Sequence, residues 1–419
     1  MTSARVPAAP VAPHLRRARL GVSMVFFTNG IVLGGFAPRV PEIRDQLGVS
    51  YGQLGVAMAM WPVGALALGL LAAAMIRRFR SSRVATVAMV VSASAMLAAS
   101  LTPNVWTFGA ALFLVGVTDA WVDVAQNAHG LRVQRLYKRS ILNSFHALWS
   151  IGAVTGGLLG GVAAGVGLAV PWQFLIGLVV VTAANAVAYP LLLKGPEPQH
   201  AGEEGADESA IPHAQHLPLK HVPLRTWALL GALTVIAIAG GWAEDGASTW
   251  SAIYMRDELA AGATLAAVAF VAMQGCQFIG RLLGDGMVDR WGQRAVARAG
   301  GALVAVGMGL ALAFPSPWGT IAGFGAAGFG VATLIPGAMH AADELPGLRA
   351  GTGLTILSWL LRLAFLLSPP LVGWIADQTS VRVGLVLVPV FGVLVVLLAG
   401  AMATRKEPHP AVRDAQSSS

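Results

Sequence analysis

The most informative segment of the sequence is residues 117–150, VTDAWVDVAQNAHGLRVQRLYKRSILNSFHALWS. It lies between two long apolar runs, so its first part is predicted to be the second half of a membrane-spanning helix. Asp119, Asp123 and Asn127 follow at intervals of four residues, which places them on one helical face. A carboxylate near the centre of a bilayer costs roughly 2.5–3.5 kcal/mol on insertion scales. This face is therefore predicted to line a protein interior or a water-filled cavity, and to be functional.

The composition of the 419-residue chain is that of a polytopic helical membrane protein. It is 56% hydrophobic and only 11% charged, with a mean hydropathy of +0.67. Apolar runs of about 20 residues recur from end to end, which is the length that crosses a bilayer as a helix. The single cysteine, Cys276, excludes an internal disulfide.

The apolar runs predict twelve spans, and the basic residues orient them. Most of the 28 Lys and Arg fall in the segments that a cytoplasmic N-terminus places inside, while Arg39, Arg44, Arg256 and Arg382 fall outside and Arg362 lies within a span. This asymmetry follows the positive-inside rule and predicts that both termini are cytoplasmic. The basic charge therefore reflects membrane topology and not nucleic-acid binding. The predicted spans are 19–37, 53–76, 84–101, 105–129, 143–166, 172–193, 227–254, 262–284, 295–314, 318–340, 351–375 and 383–403.

The chain divides into two halves that repeat each other. A shift of 212 residues places Phe79 on Trp291 and the segment 156–161 on 368–373, so one shift aligns a loop and a helix together. Residues 195–225 interrupt the apolar pattern, because they are rich in proline and acidic side chains. Two parallel six-helix repeats indicate a transporter fold with its solute path between the halves. The predicted organisation is a cytoplasmic tail (1–18), a six-helix bundle (19–194), a cytoplasmic linker (195–225), a second six-helix bundle (226–404) and a cytoplasmic tail (405–419).

One loop carries a family motif. Residues 280–294, GRLLGDGMVDRWGQR, resemble the loop motif of the major facilitator superfamily, in which a glycine is followed by Asp-Arg-x-Gly-x-Arg. Asp289, Arg290, Gly292 and Arg294 match it, and the resemblance implies that they belong to a cytoplasmic gate. In the first half Arg77 stands where the motif has aspartate, which argues against a symmetric gate.

Four further stretches resemble one bacterial branch of this superfamily, which includes rhizopine-permease-like membrane proteins and lies near the fucose permeases. They are PRVPEIRDQLG, DVAQNAHG, SFHALWS and EDGASTWSAIYMRD. The resemblance implies the major facilitator fold and proton-coupled solute transport. The chain departs from the branch at Thr249, where an acid is usual, and at Arg362, where an aromatic residue is usual.

A second resemblance concerns GAVTGGLLGG in the fifth predicted helix. Gly152, Gly156, Gly160 and Gly161 resemble the antiporter motif of drug/proton exporters, although Gly157 replaces the proline of that motif. Glycines at every fourth residue are equally the pattern of close helix packing.

The proton-coupling site is predicted at Asp123 and Asp119, with His146 as a relay. Two carboxylates on one face of a low-dielectric cavity cannot both ionise easily, so the pair can take up and release a proton. A histidine titrates near neutral pH and could pass protons to them. The alternatives are a structural ion pair for the carboxylates, and a neutral His146 hydrogen bonded to Asn127 or Ser144.

The substrate cavity is predicted from the other polar groups within the spans. The seventh helix is predicted to unwind near Gly240 and Gly241, close to Glu244. Ordinary alternatives exist: polar side chains can bridge helices, and Trp250 with Tyr254 can belong to an interfacial aromatic belt. An intramembrane arginine needs an anionic partner, which Asp119 or Glu244 could supply. The predicted cavity residues are Asn29, Asn127, Glu244, Trp250, Gln274, Gln277 and Arg362.

Together these observations predict a secondary transporter. It moves a small polar organic solute, similar to a sugar or an inositol derivative, across the cytoplasmic membrane by alternating access coupled to protons. A proton-antiport exporter of a drug or secondary metabolite is the alternative. No enzyme, cofactor or metal site is expected, because the sequence shows no nucleophile–base pair, metal-ligand constellation or phosphate-binding loop. The predicted partners are the solute, protons and the lipid bilayer, with no nucleic acid, and the predicted state is a monomer.

Overall fold

The structure is a computed structural model that describes residues 12–138, 141–195, 222–348 and 351–402, and these residues form helices joined by short turns and loops, with no strand. They contain twelve helical segments long and apolar enough to cross a membrane, so the predicted all-α fold with twelve transmembrane helices is confirmed. We number these segments as spans 1–12. They are Pro13–Leu47, Tyr51–Leu68, Ser81–Ser100, Val105–Tyr137, Leu142–Gly165, Val170–Leu191, Leu224–Asp257, Ala263–Trp291, Gln293–Ala313, Pro317–Asp343, Thr352–Gln378 and Val381–Ala401.

Four spans are composite. Each consists of shorter helical pieces that follow one another along the chain. Span 1 contains Pro13–Gly34 and Val40–Leu47 joined by the 3₁₀ turn Ala37–Arg39; span 7 contains Leu224–Asp245 and Ser251–Asp257 joined by the π-helical turn Gly246–Trp250; span 10 contains Pro317–Val331 and Leu334–Asp343; span 12 contains Val381–Leu385, Leu387–Leu398 and the 3₁₀ turn Ala399–Ala401. A further helix, Leu71–Phe79, follows span 2.

Polar side chains fix several helix starts. Ser50 begins span 2 with a capping box, in which its hydroxyl accepts from the amide of Gln53 and the Gln53 side chain accepts from the amide of Ser50. Asn104 begins span 4, where its carbonyl oxygen accepts from the amides of Trp106 and Thr107. Span 4 then continues to Tyr137, eight residues beyond the predicted end, because the polar residues after His129 keep helical geometry past the apolar run.

The chain forms two compact units, Met1–Ala206 and Asp207–Ser419. The shift of 212 residues found in the sequence also relates backbone geometry in the two units. Arg80 has φ 76° and ψ 146°, and Gly292 has φ 82° and ψ 152°. The amide of Arg80 donates to the Ile76 carbonyl at 2.7 Å, and that of Gly292 donates to the Val288 carbonyl at 2.8 Å. Both residues therefore end one helix and begin the next in the same way.

Span 1 crosses span 5 through glycines. A Cβ added at Gly30 would lie 2.1 Å from the Trp149 carbonyl oxygen, and one at Gly34 would lie 2.0 Å from that of Ala153. From the other side, a Cβ at Gly152 would lie 2.2 Å from the Phe27 carbonyl oxygen. The two backbones touch along this crossing, so close packing accounts for the glycine stripe of the fifth helix.

An aromatic contact aligns the same two spans. Phe26 and Phe145 stack with ring centroids 5.5 Å apart, and both are fully buried. Asn29 lies three residues after Phe26, and Trp149 lies four residues after Phe145, so each follows its ring by about one helical turn. The apolar contact and the glycine crossing together bring the polar side chains of spans 1 and 5 side by side.

Candidate functional site

The carboxylate of Asp119 is the centre of a hydrogen-bonded network in the first half. Its Oδ1 accepts from Asn29 Nδ2 at 3.3 Å, and its Oδ2 accepts from Trp61 Nε1 at 3.4 Å. Trp149 Nε1 donates to Asn29 Oδ1 at 2.7 Å, and the Asn29 side chain is buried. The network therefore joins spans 1, 2, 4 and 5 through one intramembrane carboxylate.

A second hydrogen-bonded group lies further along the same face of span 4. Asn127 Nδ2 donates to Asp123 Oδ1 at 2.9 Å, and Asn127 Oδ1 pairs with His146 Nε2 at 3.1 Å. Because a carbonyl oxygen can only accept, Nε2 is the ring nitrogen that carries the hydrogen in this contact. The His146 ring meets Phe26 edge-on, with centroids 5.3 Å apart. The side chains of Asp123 and His146 are both exposed.

These contacts decide between some of the sequence-based alternatives. Asn29, Asp119, Asp123, Asn127 and His146 lie in two adjoining networks on one wall of the first half. His146 bonds to Asn127, while Ser144 donates to the backbone carbonyl of Ile141, the residue that precedes span 5. The assignment of Asp119, Asp123 and His146 to proton coupling, and of Asn29 and Asn127 to the substrate cavity, stays a prediction.

Sequence reasoning did not single out Trp61 as a site residue. Nothing in the sequence links it to Asp119, because the two lie 58 positions apart and meet only through the packing of spans 2 and 4. That packing is close: a Cβ at Gly116 would lie 1.9 Å from the Trp61 carbonyl oxygen.

In the second half, Glu244 receives a hydrogen bond across two spans. Gln277 Nε2 of span 8 donates to Glu244 Oε2 at 3.3 Å. Gln277 and Gln274 are both buried, and Glu244 is partly accessible. Gln277 thus forms the interhelical bond considered from the sequence, and its partner is the predicted cavity acid.

The neighbouring Asp245 also receives hydrogen bonds, although it was not among the cavity residues predicted from the sequence. Ser368 Oγ of span 11 donates to Asp245 Oδ2 at 2.6 Å, and Thr249 Oγ1 donates to Oδ1 at 3.2 Å. The family resemblance implies an acidic residue at position 249. Thr249 stands there instead, and its hydroxyl is bonded to the Asp245 carboxylate one helical turn earlier. The spacing of Asp245 and Thr249 by four residues was the available signal.

The predicted unwinding of the seventh helix at Gly240 and Gly241 is wrong. Both glycines remain α-helical, because they accommodate Ile335 and Phe365 rather than a break. The irregular segment is the π-helical turn Gly246–Trp250, directly after Asp245. Single-turn π segments inside α-helices are common at functional sites.

Two further sequence-based alternatives are corrected in this half. Trp250 and Tyr254 are fully buried, so they do not form an interfacial aromatic belt. Within its described residues, no ion pair joins Arg362 to Glu244, and the Arg362 side chain is exposed. A pairing of Arg362 with Asp119 would join the two halves and stays a prediction, as does the lining of the cavity by Trp250.

The predicted gate residues lie where span 8 ends and span 9 begins. Asp289 and Arg290 are exposed, and the Arg290 guanidinium lies 5.6 Å from the Trp291 ring centroid. Gly292 has the positive φ that allows the sharp turn. Arg294 donates to the carbonyl oxygens of Met402 at 3.2 Å and Gly400 at 2.8 Å, which fastens this turn to the end of span 12.

A sequence profile of the Major Facilitator Superfamily matches residues 22–283 and 234–418. The chain belongs to this superfamily. It is therefore a multi-pass integral membrane protein and a transporter of small solutes, not an enzyme. Across the described residues, no three His, Cys, Asp or Glu side chains are grouped closely enough to hold a metal ion.

Relatives in the superfamily match the chain over most of its length. An uncharacterized transporter, y4wD, of Sinorhizobium fredii is 29% identical over 379 residues, covering 90% of this chain and 96% of the relative. Membrane protein MosC of Rhizobium meliloti is 28% identical over 398 residues, covering 94% and 93%.

Solved structures of superfamily members show the same fold. The nucleoside transporter NupG superposes with a TM-score of 0.70 at 12% identity, covering 92% of this chain and 98% of NupG. A D-xylose-proton symporter superposes with a TM-score of 0.69 at 15% identity, covering 92% and 96%.

Proposed function

We propose that this superfamily member is a proton-coupled secondary transporter of a small polar organic solute, similar to a sugar or an inositol derivative. It works as a monomer in the cytoplasmic membrane with both termini in the cytoplasm, an orientation supported by the positive-inside asymmetry. The structurally similar D-xylose-proton symporter offers a precedent for sugar–proton coupling on this fold.

The observation that carries the proposal is the Asp119 carboxylate held among four spans. An ionisable group within a membrane span is retained for transport, proton relay or pairing. Asp123 lies one helical turn away on the same face and is accessible. In the proposed mechanism Asp123 takes up the proton, and the loss of its charge changes how strongly Asp119 holds Asn29 and Trp61. His146 delivers the proton, since Asn127 holds its ring beside Asp123.

Solute recognition is proposed to use this wall in part. The indole N–H groups of Trp61 and Trp149 are committed to Asp119 and Asn29, which fixes both rings in place. Fixed aromatic faces suit the apolar face of a cyclic polyol, while carboxylate and amide groups suit its hydroxyls. The proposed cavity residues are Asn29, Asn127, Glu244, Trp250, Gln274, Gln277 and Arg362, and the proposed gate residues are Asp289, Arg290, Gly292 and Arg294.

The test begins with finding a solute. Thermal unfolding of the purified protein is measured with myo-inositol, an amino-inositol, L-fucose, D-xylose and uridine, and the compound that raises the midpoint is then followed in proteoliposomes. We expect an imposed pH gradient to drive its accumulation, and a protonophore to abolish that accumulation. A transport rate and a final accumulation that do not change with the pH gradient would contradict proton coupling. If protons entering the compartment that corresponds to the cytoplasm drive the solute out of it, the antiport alternative would be established.

A further inference from the structure

Arg80 has a backbone conformation that normally requires glycine. Its φ of 76° with ψ of 146° lies in a region that is essentially restricted to glycine, since a Cβ is crowded there. The position that the repeat relates to it in the second half, Gly292, has the same conformation and is a glycine. The first half therefore carries a charged side chain at a strained position where glycine would suffice. Strain of this kind persists where the side chain has a use.

Arg80 belongs to a group of four arginines, Arg77, Arg78, Arg80 and Arg83, which we call the inner arginine cluster. All four are exposed, and they lie within seven positions where the helix Leu71–Phe79 ends and span 3 begins. Within 12–138 and 141–195, the described part of this half, no ion pair joins any of them to an acid.

The corresponding loop of the second half is built differently. The 212-residue shift relates Arg77 to Asp289, so the second-half loop has an acidic residue where the first-half loop has a basic one. The net positive charge of the second-half loop is therefore lower. Its Arg294 is occupied by two backbone carbonyls of span 12. In the inner arginine cluster the contacts are weaker: Arg78 lies 5.5 Å from the Phe79 ring centroid, and Arg83 Nε donates to the Tyr189 hydroxyl at 3.3 Å. Among the described residues, the first-half loop thus presents positive charge that no acidic side chain pairs with.

We propose that the inner arginine cluster binds the phosphate headgroups of anionic phospholipids. The loop joins two spans, so it lies at the membrane surface, on the side that the charge asymmetry assigns to the cytoplasm. Guanidinium groups match phosphate with paired hydrogen bonds, and basic groups beside a span attract the anionic inner leaflet. Phe79, 44% exposed among the arginines, supplies an apolar ring at the same depth. Arg80 is retained despite its strained backbone because it adds one guanidinium to this site.

The experiment uses the full-length protein in nanodiscs of phosphatidylcholine, with or without phosphatidylglycerol. Retained lipid is counted by native mass spectrometry, and the unfolding midpoint is measured in both lipids. Arg80→Gln keeps the strained turn but removes the charge, and Arg80→Lys keeps both. Arg80→Gly removes the charge and relieves the strain. Arg135→Gln makes the same charge change at an exposed helical position of span 4.

We expect phosphatidylglycerol to bind the native protein and to raise its midpoint. Arg80→Gln should bind this lipid roughly fivefold more weakly, since one basic group near an anionic surface contributes about that factor. Arg80→Lys and Arg135→Gln should bind nearly as the native protein does. Arg80→Gly should unfold at a higher temperature in phosphatidylcholine, yet gain little from phosphatidylglycerol.

Three results would overturn the proposal. The first is unchanged lipid binding by Arg80→Gln, or an equal loss in Arg135→Gln. The second is an equal stabilisation of the native protein by inorganic phosphate in phosphatidylcholine. The third concerns the acidic linker residues, which lie outside the described residues. If replacing them by glutamine lowers the unfolding midpoint in phosphatidylcholine, and Arg80→Gln lowers it equally, the arginines pair with the linker and not with lipid. These linker residues are Glu203, Glu204, Asp207 and Glu208.

Discussion

Replacing Gly30 by alanine tests how the crossing of spans 1 and 5 supports the site. The new Cβ would lie 2.1 Å from the Trp149 carbonyl oxygen and 2.8 Å from the Ala153 amide nitrogen, both backbone atoms that cannot rotate away. Reaching an ordinary C···O contact of about 3.3 Å requires the helices to separate by about 1 Å. The same movement stretches the 2.7 Å bond from Trp149 to Asn29 beyond about 3.5 Å, where it is lost.

The stability effect follows from two opposing terms. Overpacking a close contact costs about 1–3 kcal/mol, while alanine gains about 0.5–1 kcal/mol over glycine within a helix. Gly30→Ala should therefore be destabilised, and Gly177→Ala is the matched control, because its Cβ would meet no atom within 4 Å. The unfolding midpoint of each variant is measured by intrinsic fluorescence in detergent, and solute transport in proteoliposomes. We expect a lower midpoint and several-fold slower transport for Gly30→Ala alone. Equal behaviour of the two variants would refute this account of the crossing.

Three further predictions concern topology, the gate and a turn. Reporter fusions after Gly205 and at the C-terminus should report a cytoplasmic location, and a fusion after Gly48 should report a periplasmic one. A periplasmic signal from the fusion after Gly205, in the linker, would contradict the proposed orientation. Asp289→Asn should slow transport while leaving folded protein abundant, because its side chain is exposed and outside the core; unchanged kinetics would remove it from the gate. Gly292→Ala should lose about 1–3 kcal/mol because its φ is 82°, whereas Gly286→Ala, in open space within span 8, should not; equal midpoints would contradict the strain argument.

The parts that the sequence predicted follow from periodicity and charge. Apolar runs of bilayer length identified twelve spans, because a membrane helix must satisfy its backbone internally and be apolar outside. The spacing of Asp119, Asp123 and Asn127 predicted a shared face, because residues four apart are neighbours on any α-helix. The 212-residue repeat likewise appears as matched backbone conformations at Arg80 and Gly292.

The parts that it did not predict depend on tertiary contacts. Trp61 reaches Asp119 only because spans 2 and 4 pack closely, and no local pattern shows which spans will be neighbours. The prediction that span 7 unwinds near Gly240 and Gly241 failed for the same reason, because the irregular segment is the turn Gly246–Trp250. Gly240 and Gly241 make room for the side chains of Ile335 and Phe365. The presence of two glycines therefore did not show where the helix changes to π-helical hydrogen bonding.

The most direct test of the proposed coupling compares counterflow with pH-driven accumulation in proteoliposomes. Asp123→Asn keeps the size of the side chain and one acceptor oxygen but cannot gain or lose the proton. Asp45→Asn, the same change on an exposed carboxylate in the last helical turn of span 1, is the control. We predict that Asp123→Asn still exchanges solute in counterflow but no longer accumulates it along a pH gradient, while Asp45→Asn does both. Survival of pH-driven accumulation in both Asp119→Asn and Asp123→Asn would contradict the account and move the coupling proton to another group, with Glu244 the next candidate.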